Sequence, residues 1–416
     1  MKSVKKYLLP VFIAIFVHTE LFSQRVESLN DNWEFVALYQ TSVGGEIKNQ
    51  GINWSDQFDV KHTDSSQVLA LSEQLIEQER KMLETAEWEI VSVPHTPFIE
   101  ELTVLHQWQG VSYYRREILL DSSLRGKQIW IEFEAAMTLS DIWVNGVHVT
   151  QHAGGYLPFV VDITDIASYD SPNQIVVRLD NGEQPLIPPG KPLNSLDFCY
   201  YGGIYRDVNL IIKHKNHISH PIAANKVAGG GVFVTYPQVN RDSANVKIKT
   251  HIVQSEPNNG QLRYRLYPLK GLFGNYKRGG VVAESVVVLS DVLEQEVEDE
   301  LIVVEPNLWS PNTPYLYLLV VELIEDGKVV DSQQERIGIR HIEMSKEGGF
   351  VINGEPLRLV GSNRHMEYPY LGNAISDAAH YRDIYQIKES GFNTVRLGHY
   401  PQDKSVLDAC DELGVL

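Results

Sequence analysis

Asn363-Arg364-His365-Met366-Glu367-Tyr368-Pro369 and Val395-Arg396-Leu397-Gly398-His399-Tyr400-Pro401 are the two segments whose reading decides the fold. Each goes with a short apolar run, Leu357 to Val360 for the first and Thr394 to Leu397 for the second, and both runs are expected to be strands. Between them Tyr381, Ile384 and Ile387 recur at helical spacing. Ser376 is placed to cap that helix, Asp377 sits in its first turn, and Gly391 closes it. A second helix is expected from about Lys404 to Leu413, with Val406, Cys410 and Leu413 on one face and Gly414 at its end. Strand, helix, strand, helix opens a parallel α/β architecture, whose ligands gather beyond the carboxyl ends of the strands. His365 and His399 both fall there. A lone histidine near a strand end is usually a packing or hydrogen-bonding residue. Two Arg/His pairs at equivalent places on consecutive strands point instead to one shared site.

Outward from this stretch, 416 residues at 43% hydrophobic content can hold several cores, and length suggests two to four domains. The formal charge of -18 argues against a nucleic-acid partner, because an acidic surface repels phosphate. Cys199 and Cys410 form no metal or redox motif and are expected as buried thiols in separate domains. Residues 1–24 have the form of a secretory signal. Lys2, Lys5 and Lys6 precede an apolar run, Tyr7 to Val17, that is too short to span a bilayer comfortably. No later stretch is long and apolar enough to span. The expectation is a bacterial, exported product, periplasmic or secreted, with no membrane association once the signal is removed.

Residues 25–215 read as β. Gln128 to Phe133 alternates, and Leu139 to Val144 runs through Asn145-Gly146 into Val147-His148-Val149. Asn-Gly between apolar runs is a strong hairpin signal, since both turn residues need positive φ. Short strands punctuated by Gly, Pro and Asn suggest a jelly-roll sandwich. Residues 65–86 break the pattern: Val68, Leu71, Leu75 and Met82 at helical spacing suggest an amphipathic helix inserted as a surface cover. Residues 216–342 form a second β region of immunoglobulin-like size. Val246, Ile248, Thr250 and Ile252 alternate with polar residues, and Tyr317 to Leu323 leads into a turn at Asp326-Gly327. Residues 343–416 then begin the α/β part.

With those residues in view, the chain resembles glycoside hydrolase family 2, which holds β-galactosidases, β-glucuronidases and β-mannosidases. The matching runs are Val93-Pro94-His95, Tyr113-Tyr114-Arg115-Arg116, Gly154-Gly155-Tyr156-Leu157-Pro158-Phe159 and Tyr201-Gly202-Gly203-Ile204-Tyr205-Arg206-Asp207-Val208. Leu308-Trp309-Ser310-Pro311, Gly338-Ile339-Arg340 and the two segments quoted first complete the set, in the family's order. The resemblance implies a jelly-roll sugar-binding domain, an immunoglobulin-like sandwich and a (β/α)8 TIM barrel. It assigns His365 and His399 to the barrel pocket, with Arg364 and Arg396 flanking them. Asp197 would reach into the same pocket from the jelly roll, to accept hydrogen bonds from sugar hydroxyls. By resemblance sodium or magnesium would bind near Asp197; spacing alone defines no metal site. Homo-oligomerisation is one option, which the sequence leaves open.

Two positions depart from the family pattern. An acid usually follows His365 directly, and here Met366 intervenes before Glu367. Serine is usual where Gly398 stands. Length departs too. A full barrel needs about 250 residues, and residues 343–416 hold two βα units and the start of a third strand. Retaining glycosidases need two carboxylates about 5 Å apart, and none of the eleven carboxylates from Glu343 onward matches that pair by position. The expectation is therefore the N-terminal part of an exo-acting retaining β-glycosidase, inactive by itself, with its catalytic glutamates beyond residue 416. β-Galactoside is the first substrate and β-glucuronide the second. The competing class is a carbohydrate-binding or scaffold protein built on the two sandwiches.

Overall fold

The structure is a computed structural model that describes residues 25–43, 77–98, 108–192, 195–256, 259–346 and 349–416. The expected signal, residues 1–24, lies outside the described residues.

The first domain is a sandwich of two antiparallel sheets. One has six strands, in the order Glu89–Val91, Trp33–Val43, Trp108–Leu119, Pro172–Asp180, Leu139–Val144 and Val147–Ala153. The other has four: Arg25–Ser28, Val208–Lys213, Gln128–Phe133 and Phe159–Asp162. Alternate residues point inward, so Ile129, Ile131 and Phe133 meet Ile142, Val144, Ile175 and Val177 in one core closed by Trp33 and Tyr114. The Asn145-Gly146 turn has φ of 53° and 79°, the mirror-image geometry that lets a two-residue turn follow strand twist.

Of the inserted helix, residues 77–83 are described, and residues 65–76 with Val68, Leu71 and Leu75 lie outside the described part. The apolar stripe expected through Met82 is not its buried side, since Met82 is exposed. Glu79 is buried instead. It takes Arg178 at 2.6 and 2.9 Å and the Tyr113 hydroxyl at 2.6 Å. The sheet face it covers carries Arg178, so a carboxylate rather than a methionine completes the contact.

The second domain is also a two-sheet sandwich. Ser243–Val253 lies between Val232–Val239 and Glu294–Val304 in one sheet, and Gln261–Leu272 pairs Leu316–Glu325 in the other. Asp326 and Gly327 form a turn like the first, with φ of 49° and 75°. This domain grips the α/β part. Trp309 Nε1 donates to Asp411 O at 2.7 Å, and Lys388 Nζ donates to Pro311 O at 2.7 Å. Glu412 is buried among Arg336, Tyr276 and the Phe273 N–H.

After a small antiparallel sheet over Ile342–Ser345, Gly349–Ile352 and Glu355–Pro356 come β1 (Gly361–Arg364), α1 (Asp377–Glu389), β2 (Thr394–Leu397) and α2 (Lys404–Leu413). β1 and β2 pair in parallel, Gly361 opposite Thr394 and Arg364 opposite Leu397. The first strand is thus not Leu357–Val360. Leu359 and Val360 are exposed, and the ladder begins only at Gly361, where a Cβ would sit 2.2 Å from Thr394 O. Close strand approach, not hydrophobicity, sets the register there. Ser376 occupies the cap of α1 without a side-chain cap bond, and the chain leaves α1 through Gly391 at φ 88°. α2 is capped by Asp403, which accepts from Ser405 N at 2.8 Å. Tyr381, Ile384 and Ile387 of α1 and Val406, Cys410 and Leu413 of α2 pack with Val395 and Leu397 of β2. Burial pushes the Cys410 thiol up to about 12, whereas Cys199 is only half-buried, so just one of the two thiols is enclosed.

Candidate functional site

The loop between strands Pro172–Asp180 and Val208–Lys213 leaves the sandwich and crosses to the ends of β1 and β2. Arg206 anchors the crossing. It donates to Pro401 O at 2.8 Å and Tyr156 O at 3.2 Å, and pairs with Asp403 at 3.6 Å. Burial excludes water from this seam, so each of these charge-assisted bonds counts for more than at the surface.

In parallel strands paired residues share a face, and successive residues alternate. Arg364 pairs with Leu397, and Leu397 packs against the helices. Arg364 therefore points the same way. It is buried, donates to His380 Nδ1 at 2.7 Å and Asp383 at 2.8 Å, and also holds Gln402. Burial and the Arg364 charge push His380 down to about 4, which keeps Nδ1 free to accept. Arg364 is thus a strut of the helix layer rather than a wall of the pocket. Arg396 lies on the opposite face beside Asn363. It is exposed and bonds Asn363 Oδ1 at 3.3 Å and His399 Nδ1 at 2.8 Å.

Past β2 the chain turns at His399, which takes the left-handed φ of 63°. That turn brings His399 edge-on to His365, ring centres 5.4 Å apart and planes at 82°. Phe198 packs against both, at 6.0 Å from His365 and 6.3 Å from His399. Tyr400 stacks on Tyr156 at 4.7 Å, and Phe198 lies 5.5 Å from Tyr400. The aromatic floor is thus half jelly roll and half barrel.

Above it opens a cavity of about 440 Å3, lined on the loop side by Pro188, Pro189, Lys191, Asp197 and Phe198, and on the barrel side by His399, Tyr400 and Pro401. Asp197 and His399 line the same cavity. His365 stands just behind it, one ring away. Aromatic faces with a few polar groups on the wall suit a sugar, which offers C–H faces and hydroxyl edges. Tyr400 keeps its proton, because burial and the Glu367 carboxylate push its hydroxyl up. It contacts His365 Nδ1 at 3.4 Å and Glu367 at 3.5 Å. Glu367 accepts from Cys199 N at 3.1 Å and so ties the Asp197 loop to β1.

Lys191, Phe198, Tyr156 and Tyr400 were not singled out as pocket or seam residues from sequence, and Glu367 was noted only as the acid displaced by one position after His365. Tyr156 and Tyr400 lie inside two of the matched runs, Gly-Gly-Tyr-Leu-Pro-Phe and Gly-His-Tyr-Pro, so those runs were their only signal. For a sodium or magnesium ion, the donors around Asp197 fit poorly. One carboxylate beside a lysine and aromatic rings is not the oxygen cage a hard cation takes. No group of three or more potential metal ligands occurs among the described residues.

A jelly roll and the first βα units of a barrel share one hollow, and a second sandwich lies between them in the chain, which defines the class of a multidomain protein of two β-sandwiches and the opening of a barrel. The chain belongs to glycosyl hydrolases family 2: the family's sugar binding domain matches residues 26–214, a further family 2 domain matches 230–340, and its TIM barrel domain matches 342–416. A β-galactosidase of Thermoanaerobacter pseudethanolicus is 33% identical over 90% of this chain and 46% of its own length. A β-glucuronidase of Bacteroides fragilis is 31% identical over 78% of this chain and 45% of its own. Among solved structures, a Bacteroides uniformis β-glucuronidase superposes with a TM-score of 0.72 at 27% identity, covering 94% of this chain and 42% of that one. The chain spans less than half the length of each of these three.

Proposed function

We propose that these residues belong to an exported, exo-acting retaining β-glycosidase that removes terminal β-linked sugars from oligo- or polysaccharides, with β-galactosides its first substrate. The observation that carries this reading is the cavity shared by Asp197 and His399 across the domain seam. It has the size and lining for one terminal sugar. Asp197 accepts hydroxyl hydrogen bonds, and Phe198, Tyr156 and Tyr400 offer apolar faces to the ring's C–H edges.

Hydrolysis with retention needs an acid/base carboxyl and a nucleophilic carboxylate about 5 Å apart. Four of the described carboxylates after Ile342 are engaged elsewhere: Asp383 with Arg364, Asp403 with Arg206, Asp408 and Glu412 with Arg336. Glu367 reaches the site but ties down Cys199. The family resemblance puts the glutamate pair on later barrel strands, and we place it outside residues 1–416 on that ground. β-Glucuronide remains the second substrate, favoured by Lys191 in the cavity wall, which would face a uronate carboxylate.

The test compares residues 25–416 with the protein carrying its whole reading frame, on nitrophenyl β-galactoside and β-glucuronide. Turnover by the longer protein alone supports the reading. Turnover by residues 25–416 above a buffer blank contradicts the placement of the glutamates. Sugar binding without turnover by the longer protein supports the carbohydrate-binding scaffold instead. Export is tested on the same cultures: N-terminal sequencing of the product is expected to find residues 1–24 removed.

A further inference from the structure

Glu367 and Gly398 are far apart in sequence yet meet at one imidazole. A Cβ on Gly398 would stand 2.9 Å from His365 Nε2, 3.1 Å from its Cδ2 and 3.0 Å from Arg364 O. One edge of the His365 ring therefore lies directly against the peptide at 398. Space is what glycine supplies here.

The ring's other edge faces barrel and jelly-roll partners together. Nδ1 is 3.4 Å from the Tyr400 hydroxyl and 3.7 Å from Glu367 Oε2. The other oxygen of Glu367 accepts from Cys199 N. Met366 takes the place beside His365 and is buried with Tyr156, Phe198 and Tyr400, so the next residue turns toward the jelly-roll loop. Held on both edges, the His365 ring is 32% exposed and does not line the cavity, whose wall at that point is Phe198 and His399.

Resting on the reading that this cavity takes a terminal sugar, we propose that Gly398 and Glu367 are positioning residues for the His365 imidazole, and that the recessed ring they produce sets which sugar the pocket prefers. A side chain at 398 drives the ring off the strand toward Phe198 and into the hollow. Loss of the Glu367 carboxylate releases both the ring and the loop that carries Asp197.

The test uses the protein with its whole reading frame and the variants Gly398→Ser, Glu367→Ala and Glu367→Gln. For Gly398→Ser and Glu367→Ala, KM should rise about tenfold with kcat within about threefold, and the galactoside-to-glucuronide ratio of kcat/KM should move at least about fivefold. Glu367→Gln keeps an acceptor for Cys199 N and should restore most of the KM. A merely structural role would lower the melting temperature and the active fraction, and so apparent kcat, while leaving KM and the ratio alone. That result overturns the proposal. A second readout does not depend on turnover: in histidine-labelled protein, with the signal assigned from His365→Gln, Gly398→Ser should shift the His365 ring resonances more than those of any other histidine except His399. An unmoved His365 signal overturns the proposal whatever the activity. If the unaltered protein hydrolyses neither glycoside, the glycosidase reading fails by itself, and the resonance shift still decides the positioning.

Discussion

Arg364 and His365 are neighbours in sequence with opposite duties, and strand alternation is the reason. His365 serves the aromatic seam, so Arg364 must face the helices, where three polar side chains receive it. That much was legible: a period of two forbids adjacent residues from lining the same wall. Grouping the two arginines as equivalent flankers overlooked it, because their strands pair with a one-residue offset, Asn363 with Arg396 and Arg364 with Leu397. Arg364→Ala should destabilise the protein by about 2–4 kcal/mol, since it strands Asp383 and leaves a void in a buried network. Urea unfolding of residues 25–416 measures this. A loss within about 0.5 kcal/mol, the range of ordinary surface substitutions, would mean that the network contributes nothing. His365 and His399 were legible from their places past two consecutive strands, whereas Asp197 was legible only through motif resemblance. An exposed aspartate in a loop carries no periodic signal, and its neighbour Phe198 looks like any apolar residue.

At the scale of elements, hairpins were the easiest to read. Asn145-Gly146 and Asp326-Gly327 each demand positive φ at two consecutive positions, and few other conformations of those pairs compete. Both barrel helices were legible from spacing and caps. The first barrel strand was not, because its register comes from the close approach of Gly361 to Thr394, a tertiary fact. The inserted helix is present over residues 77–83, but its buried side there was misread for a related reason. Hydrophobic periodicity placed Met82 on the contact face, yet among residues 77–83 the helix docks through Glu79 onto Arg178 and Tyr113, with Leu83 packed beside them. Glu79→Ala should therefore cost about 3 kcal/mol, because buried Arg178 loses its short bonds and keeps only Asp141 and Asp180 at 3.8 and 3.9 Å. Glu79→Gln should cost less, since it keeps an acceptor for one N–H. Thermal unfolding of both variants checks the order. Equal, small shifts would show that water reaches Arg178 once the helix loosens.

Across the whole molecule, the jelly roll and the barrel meet through carboxylates as well as rings. Glu134 of the jelly roll is half-buried, and burial together with Asp403, Asp207, Glu132 and Asp377 pushes it up to about 8. In the unfolded chain it titrates near 4.5. The folded state then holds a proton that the unfolded state has lost, so stability falls as pH rises from about 4.5 through about 8. Glu134→Gln should flatten the pH profile of the melting temperature across that window. An unchanged slope would show that Glu134 titrates normally in the fold. The meeting of the jelly roll and the barrel around one cavity was foreseeable only from the order of matched runs, since no local pattern specifies which sandwich loop reaches a barrel.

The central claim is that Asp197 from the sandwich and His399 from the barrel hold the same sugar. A double-mutant cycle, Asp197→Ala with His399→Ala, on galactose inhibition or KM in the protein with its whole reading frame tests it most directly. Each single change should weaken binding about tenfold or more, and the two should be non-additive by at least about 1 kcal/mol, as for groups contacting one ligand. Additivity within about 0.3–0.5 kcal/mol, or an Asp197→Ala protein that binds and turns over like the unaltered one, would place the two residues at separate sites and contradict the account.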